Sequence, residues 1–468
     1  MSQKKEITVL SLALLLTLLL GGVGAWIVKE FVLNRPAETS ISSQTTTVQP
    51  IPKTAQISFG EKTLIPGQVT PVKQAGLDAI ATKKWNVAVT NLQQAQKENR
   101  NDPETLIFLN NAEIADGKSY TIAASAPLGS DPKGGLEILR GVAQAQDEIN
   151  HSGGINGMRL KVAIANDNNQ EDQAKQIANT LVNNAEILGV IGHWASQVTL
   201  ATAPIYNSGK LVAISPISTS VKLSGLSPYI FRTVPSDYVS ARALANYMIT
   251  NLKLKNAAVF FNSQSAYSQS LKSEFVTAVL LAGGRVIGEF DLSDPSFSAA
   301  SSINQALQQQ AQVLMLAANT STLDKALQVV QVNRKRLKLL GGDDIYAPIT
   351  LEVGGDAAKD MVIAVPWDID TLPQTEFVGE SKQLWGAEVN WRTALSYDAT
   401  RAFIAAIQSS PTRSGIQQVL SSPNFSITGA AGAVQFLPSG DRNAPVQLVK
   451  IIPNVNTSTG YDFVPVRQ

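Results

Sequence analysis

Cysteine is absent from this chain. Disulfides, thiolate zinc sites, a cysteine nucleophile and a lipid-acylated cysteine are therefore excluded. Histidine is scarce: His151 and His193 are the only two, too few for a histidine-based metal centre. An excess of one charge is missing as well. Lys and Arg number 38 against 37 Asp and Glu, so the balance does not point to nucleic acid as a partner. No nucleophile–base–orienter set stands out, which weighs against an enzyme, and no motif asks for a cofactor. Gly153-Gly154 lacks the strand–GxGxxG–helix order of a phosphate cradle. What remains is a chain of 468 residues, long enough for two or three domains.

One long apolar run is present, at the start. From Ile7 to Val28 there is no charged residue, a length that matches the roughly 20 residues of a spanning helix. Cleavage after Ala25 would make it a secretory signal, but the run continues through Trp26-Ile27-Val28, which favours a retained transmembrane anchor over residues 1–33. Lys4 and Lys5 precede it, so the N-terminus is expected inside and the remainder outside the cytoplasmic membrane. Residues 34–71 are rich in Ser, Thr, Gln and Pro and read as a flexible linker. Over 72–118, Gly76, Ala79, Trp85, Ala88, Leu92 and Ala95 recur at helix-pair spacing before Asn101-Asp102-Pro103 interrupts. This is either a tetratricopeptide-like unit or a plain helical hairpin. A single unit cannot bury its own face, so it should pack on the next domain or on a partner.

From Ser119 onward strand and helix patterns alternate, the signature of an α/β fold with parallel sheets. The alternation restarts after Phe231–Asp237 and again after Val362–Trp367, which predicts two lobes joined by a multi-strand hinge with a ligand cleft between them. The stretch from Val190 to Ser220 organises the rest. It reads as strand, loop, helix over Val198–Tyr206 with Ser196 as N-cap, strand, and the hydroxyl-rich loop Ser215–Ser220. Both loops leave the carboxyl ends of neighbouring parallel strands and face one crevice. Ser196 and Thr219 are then either a carboxylate site at a helix start or two ordinary caps.

The ordered series Ala126-Pro127-Leu128-Gly129, Gly141, Ile149–Gly157, Asp167, Ile191-Gly192-His193, Ser196, Ser215-Pro216, Thr219-Ser220 and Phe231-Arg232-Thr233 resembles the type I periplasmic-binding-protein family. The similarity is strongest to the leucine/isoleucine/valine-binding branch of ABC-transporter solute receptors and covers about residues 119–468. It implies a two-lobed α/β fold with a three-strand hinge, lobe 1 spanning about 119–234 and 367–425 and lobe 2 about 235–366 and 426–468.

Carried over by position, the resemblance puts Ser196 on the ligand's α-carboxylate and the Ile217 carbonyl on its α-ammonium. Thr219 touches both ends, with Ser218 beside it in the same loop. Tyr267 closes over the ligand from the second lobe, and Asp343, where the family more often has Glu, pairs with the ammonium; Asp344 could replace it. Trp194 is a pocket wall, and His193 is read as structural. Two departures open the side-chain pocket or make it more polar: Gly134 stands where an aromatic is expected, and Asn319-Thr320 replaces an aromatic pair. The implied function is a membrane-anchored receptor that captures an amino acid or similar zwitterion for an ABC permease. The alternative is a sensor or scaffold of the same fold whose helical unit contacts a protein. No nucleic acid, metal or cofactor is implied.

Overall fold

The computed structural model describes residues 56–371 and 375–466. The expected anchor over 1–33 lies outside the described residues. Among the described residues, no helix is long and apolar enough to cross a membrane.

The chain opens with a two-residue strand, β1 (Ile57–Ser58), then three helices, α1 (Pro71–Ala81), α2 (Trp85–Glu98) and α3 (Pro103–Ile114). Alternation follows: β2 (Ser119–Ala126), α4 (Pro132–His151), β3 (Arg159–Asn166), α5 (Glu171–Asn183), β4 (Ile187–Ile191), α6 (Ser196–Ser208), β5 (Val212–Ser215) and β6 (Ile230–Arg232). A second run comprises α7 (Asp237–Asn246), β7 (Asn256–Phe261), α8 (Ala266–Leu281), β8 (Arg285–Asp291), α9 (Ala299–Gln308), β9 (Val313–Ala317), α10 (Leu323–Asn333), β10 (Lys338–Gly341), α11 (Pro348–Ala358) and β11 (Val362–Val365). The chain closes with α12 (Glu376–Trp385), α13 (Trp391–Ser409), α14 (Arg413–Leu420), the hairpin β12 (Ile427–Gly429)–β13 (Gly432–Val434), β14 (Gln447–Pro453) and β15 (Tyr461–Pro465).

Two sheets result. The first has the order β1-β3-β2-β4-β5-β6 and the second β15-β14-β11-β10-β9-β7-β8. Both are parallel at their centres, with antiparallel strands added at one edge. Their strands are short apolar runs covered by helices on both faces, as buried parallel strands require. The chain passes between the sheets three times: at 233–236, between β11 and α12, and between β13 and β14. The last crossing falls later than the expected boundary at 425/426, because the β12–β13 hairpin packs on α13, where Asp398 accepts the N–H of Ala430 at 2.6 Å. Helix α13 in turn crosses α4 so closely that a side chain on Gly141 would run into the Thr393 carbonyl.

Two expectations about the segment before Ser119 are corrected. Residues 56–71 are not a flexible linker. Ser58 is fully buried, and β1 pairs with β3 at Ile57↔Ala165. Glu104 then holds the segment down, accepting from Thr63 Oγ1 at 2.7 Å and Leu64 N at 2.8 Å. Nor do the helices form a separate tetratricopeptide-like unit. Every residue of α3 except Glu113 is buried, and a helix covered on nearly all sides belongs inside a domain. Packing on the next domain, one of the two outcomes foreseen, is how these helices bury their faces.

Helix α3 also protects a sheet edge. Asn111 Nδ2 donates to Val162 O at 2.8 Å and Phe59 O at 2.9 Å, and Asn111 Oδ1 accepts from Val162 N at 3.1 Å. Asn150 answers both backbone groups of Leu160 in the same way. The outer edge of β3 is thereby satisfied by side-chain amides where β1 does not reach. Asn111→Ala strands a buried N–H and a buried carbonyl and is expected to cost about 1–3 kcal/mol, read from the urea unfolding midpoint. A loss below about 0.5 kcal/mol would show that water replaces the amide.

Candidate functional site

The carboxyl ends of the parallel strands in both sheets face one another across a cleft of about 430 Å³. Its lining comes almost entirely from the loops that leave those strands. Lobe 1 supplies Ser130 and Asp131 after β2, Asn168 and Asn169 after β3, Trp194 to Gln197 after β4 and Ile217 after β5. Lobe 2 supplies Ser265 and Tyr267 after β7, Asn319 to Ser321 after β9 and Asp343-Asp344 after β10. The strand order reverses between β3-β2 and β4-β5, and again between β8-β7 and β9-β10, so both switch points open into the same crevice.

On the lobe 1 side, Ser196 is the first residue of α6, not its cap. Ala195 holds the cap position and supplies no side-chain hydrogen bond. The N–H groups of Ser196 and Gln197 consequently find no acceptor among the described residues. An uncapped helix start at a cleft is an anion site, since unpaired N–H groups and the helix dipole act together. The hydroxyl-rich loop lies against it, with Ser220 N donating to Ser196 Oγ at 3.3 Å.

Not all hydroxyls of that loop reach the cleft. Ser218 Oγ donates to Trp194 O at 3.0 Å and pairs with Thr199 Oγ1 at 2.8 Å, and neither Ser218 nor Thr219 is among the lining residues. Thr219 is 2 % exposed; its hydroxyl lies beside the Asp237 carboxyl without a well-directed hydrogen bond. Behind the loop, Arg232 donates to the carbonyls of Ser218 at 3.3 Å and Ser220 at 2.8 Å while pairing with Asp441 at 2.7 Å. The hinge and this loop therefore share one guanidinium. His193 is fully buried, bridging Asp167 at 2.6 Å and Tyr206 at 2.9 Å. Burial alone would raise the Asp167 carboxyl, but the His193 ring holds it below its usual range. The histidine fixes the loop.

On the lobe 2 side, Tyr267 OH donates to Asp343 Oδ1 at 2.5 Å. Asp343 is 5 % exposed, and no protein group donates to its second oxygen among the described residues. Burial, then the neighbouring Asp344, push its carboxyl up to about 7. Asp344 is occupied: Arg392 of α13 reaches it at 3.0 Å and Thr320 N at 3.2 Å. Asn319 accepts from Asn262 Nδ2 at 2.8 Å and lines the wall.

Sequence reasoning missed three contributors. Arg392 crosses from the lobe 1 helix α13 to Asp344 and to Tyr346 O at 3.2 Å, its guanidinium lying over the rings of Trp391 and Trp194. Asp237, 1 % exposed, sits behind Thr219 and is pushed up to about 7 by burial. Asp131 caps α4, accepting from Gly134 N at 3.0 Å, and lines the cleft. The departure at Gly134 has a compensation. A Cβ there would lie 2.7 Å from Trp194 Cη2, so the Trp194 indole fills the space over the glycine.

Comparison with known proteins agrees with this architecture. A family profile described as periplasmic binding protein matches residues 119–454. An amino acid binding protein of Pseudomonas aeruginosa is 33% identical over 150 residues, covering 32% of this chain and 40% of that protein's length. The Leu/Ile/Val-binding protein of Rhizobium johnstonii is 25% identical over 332 residues, covering 69% of this chain and 88% of its own. Among solved structures, a leucine binding protein from Thermotoga maritima superposes with a TM-score of 0.65 at 22% identity, covering 73% of this chain and 97% of that one. An ABC transporter substrate-binding protein from Sphaerobacter thermophilus gives a TM-score of 0.67 at 18% identity, over 75% of this chain and 97% of that one. With the profile spanning most of the chain and the two-lobed fold matching, this protein belongs to the periplasmic binding protein family, whose members are solute receptors and not enzymes.

Proposed function

We propose that this chain captures an amino acid or similar small zwitterion in the interlobe cleft, outside the cytoplasmic membrane, and delivers it to an ABC-type importer. Residues 1–33 are its anchor in this reading. The observation that carries it is the pairing of an uncapped helix start at Ser196 with a half-satisfied carboxylate at Asp343, one from each lobe, across a single cleft. A zwitterion leaving water must have both charges answered, because an unpaired buried charge costs several kcal/mol. Here the helix start answers the carboxylate and Asp343 the ammonium. Since the two groups belong to different lobes, the bound ligand favours the closed cleft. The names of the Pseudomonas and Rhizobium relatives support an amino acid as ligand.

The test is a thermal-shift screen of the 20 amino acids on the full chain. A ligand at 100 times its Kd should add about 2.7 kcal/mol, and Ser196→Ala should weaken it by about tenfold, the worth of one hydrogen bond to a charged group. No stabilisation by any amino acid would overturn the reading.

A second reading, a scaffold whose helices α1 to α3 contact a protein, draws support from a different feature. A cavity of about 650 Å³ lies between these helices and the base of lobe 1, lined by Phe59, Trp85 and Tyr120 among others. A protein partner lost on Trp85→Ala, with no amino acid bound, would favour it.

A further inference from the structure

We propose that the ligand carries a second positive charge: it is an amino acid with a cationic side chain, whose side-chain cation lies at Asp131 and Asn168 of lobe 1. This rests on the amino-acid reading above and specifies its ligand class.

Charge counting comes first. The cleft lining holds three carboxylates, Asp131, Asp343 and Asp344, and no Lys, Arg or His. Arg392, just outside the lining, neutralises Asp344 alone. A neutral zwitterion adds as much negative as positive charge. The start of α6 answers its carboxylate and Asp343 takes its ammonium, so Asp131, which caps α4, is left with no cation beside it. A ligand with one more cation closes the count, and like charges left together in a cleft of low dielectric are costly.

Hydrogen-bonding capacity gives a second, independent argument. Asp343 is 5 % exposed, lines the cleft and has one oxygen with no donor. Elsewhere in the lining, Asn168 Oδ1 is packed against Gly129 with no hydrogen-bond partner among the described residues. Asn169 Oδ1 there accepts only a 3.3 Å bond from Ala195 N, and Asp131 spends Oδ1 on the Gly134 N–H. Asp131 Oδ2 beside them accepts from no donor among the described residues, a free carboxylate oxygen that suits an ammonium or guanidinium. Few apolar side chains line the cleft. Trp194, Ala195 and Ile217 are its apolar members, the rest being amides, hydroxyls, carboxylates and Tyr267. An aliphatic side chain would strand these polar groups.

The experiment is titration calorimetry of the full chain with lysine, arginine, glutamine, glutamate and leucine. Lysine or arginine is expected to bind at least about tenfold tighter than glutamine, the loss of one charge-assisted contact, and glutamate weakest. Asp131→Asn preserves the helix cap, since asparagine caps as well as aspartate, and is expected to lower the lysine-to-glutamine preference by about tenfold. Asn168→Asp, at a backbone with φ of 52° that aspartate tolerates, should raise it. Tighter binding of leucine or glutamine than of lysine overturns this inference and leaves the amino-acid reading standing. An unchanged lysine preference in both variants also overturns it. Binding of no amino acid by the folded chain brings down both.

Discussion

Replacing Asp398 with asparagine is expected to cost about 3–5 kcal/mol of unfolding free energy, the range for breaking a buried ion pair from one side. The pair is Asp398 with Arg442, 2.6 Å apart, their side chains 0% and 1% exposed. It lies where the first and third interlobe crossings meet. Arg442 also donates to Thr233 O at 3.0 Å and to Ala431 O and Ala433 O at 3.1 Å each. Asp398 takes the N–H groups of Ala430 and Ala431. Asparagine keeps the shape, removes the negative charge and leaves a guanidinium buried among carbonyls. Equilibrium urea unfolding reads the loss. A companion variant, Asp398→Leu with Arg442→Met, removes both charges and should regain part of the stability, because the cost is that of an orphaned charge and not of a missing contact. If the single variant unfolds within about 1 kcal/mol of the parent, water reaches the pair and the hinge is not held this way.

The same physics explains what could be read from the residues and what could not. The alternation of strand and helix after Ser119 follows the pattern, since an apolar run and an amphipathic repeat are local signals. Strand β1 was hidden because its two residues pair with β3 a hundred positions away, inside a Ser/Thr-rich setting. Helix α3 was legible as a helix, yet its burial by α4 and β3 depends on tertiary packing. At the site, Ser196, Ile217, Tyr267, Asp343, Trp194 and Asn319 meet in the cleft because strand order brings their loops together. Ser218 and Thr219 belong to the same loop as Ile217, but side-chain direction within it turns on partners such as Thr199 and Trp194. Arg392 had no signal: its partner Asp344 lies 48 residues earlier, on the other lobe.

Ligand affinity is expected to fall about fiftyfold between pH 7 and pH 5, approaching tenfold per unit at the acid end. Asp343 is the cause. In the ligand-free protein burial and Asp344 hold its carboxyl up to about 7, whereas the unfolded chain has it near 4. The folded state therefore carries a proton that the unfolded state lacks between about pH 4 and 7. Over that window this group makes the ligand-free fold less stable as pH rises. An ammonium at Asp343 requires the ionised form, so below pH 7 binding must first expel that proton, and the apparent Kd rises in proportion. Above 7 the carboxylate is already ionised and the dependence flattens. Calorimetry in buffers of different ionisation enthalpy should show close to one proton released per ligand at pH 5.5 and almost none at pH 8. Asp237, also pushed up to about 7, faces the same region, and Asp343→Asn separates the two. This variant should bind more weakly at pH 8 by about 10- to 100-fold, from loss of one charge-assisted contact, and should lose the slope below 7. A slope that persists in Asp343→Asn assigns the proton to Asp237, and a flat profile in the parent shows that Asp343 is already ionised before the ligand arrives.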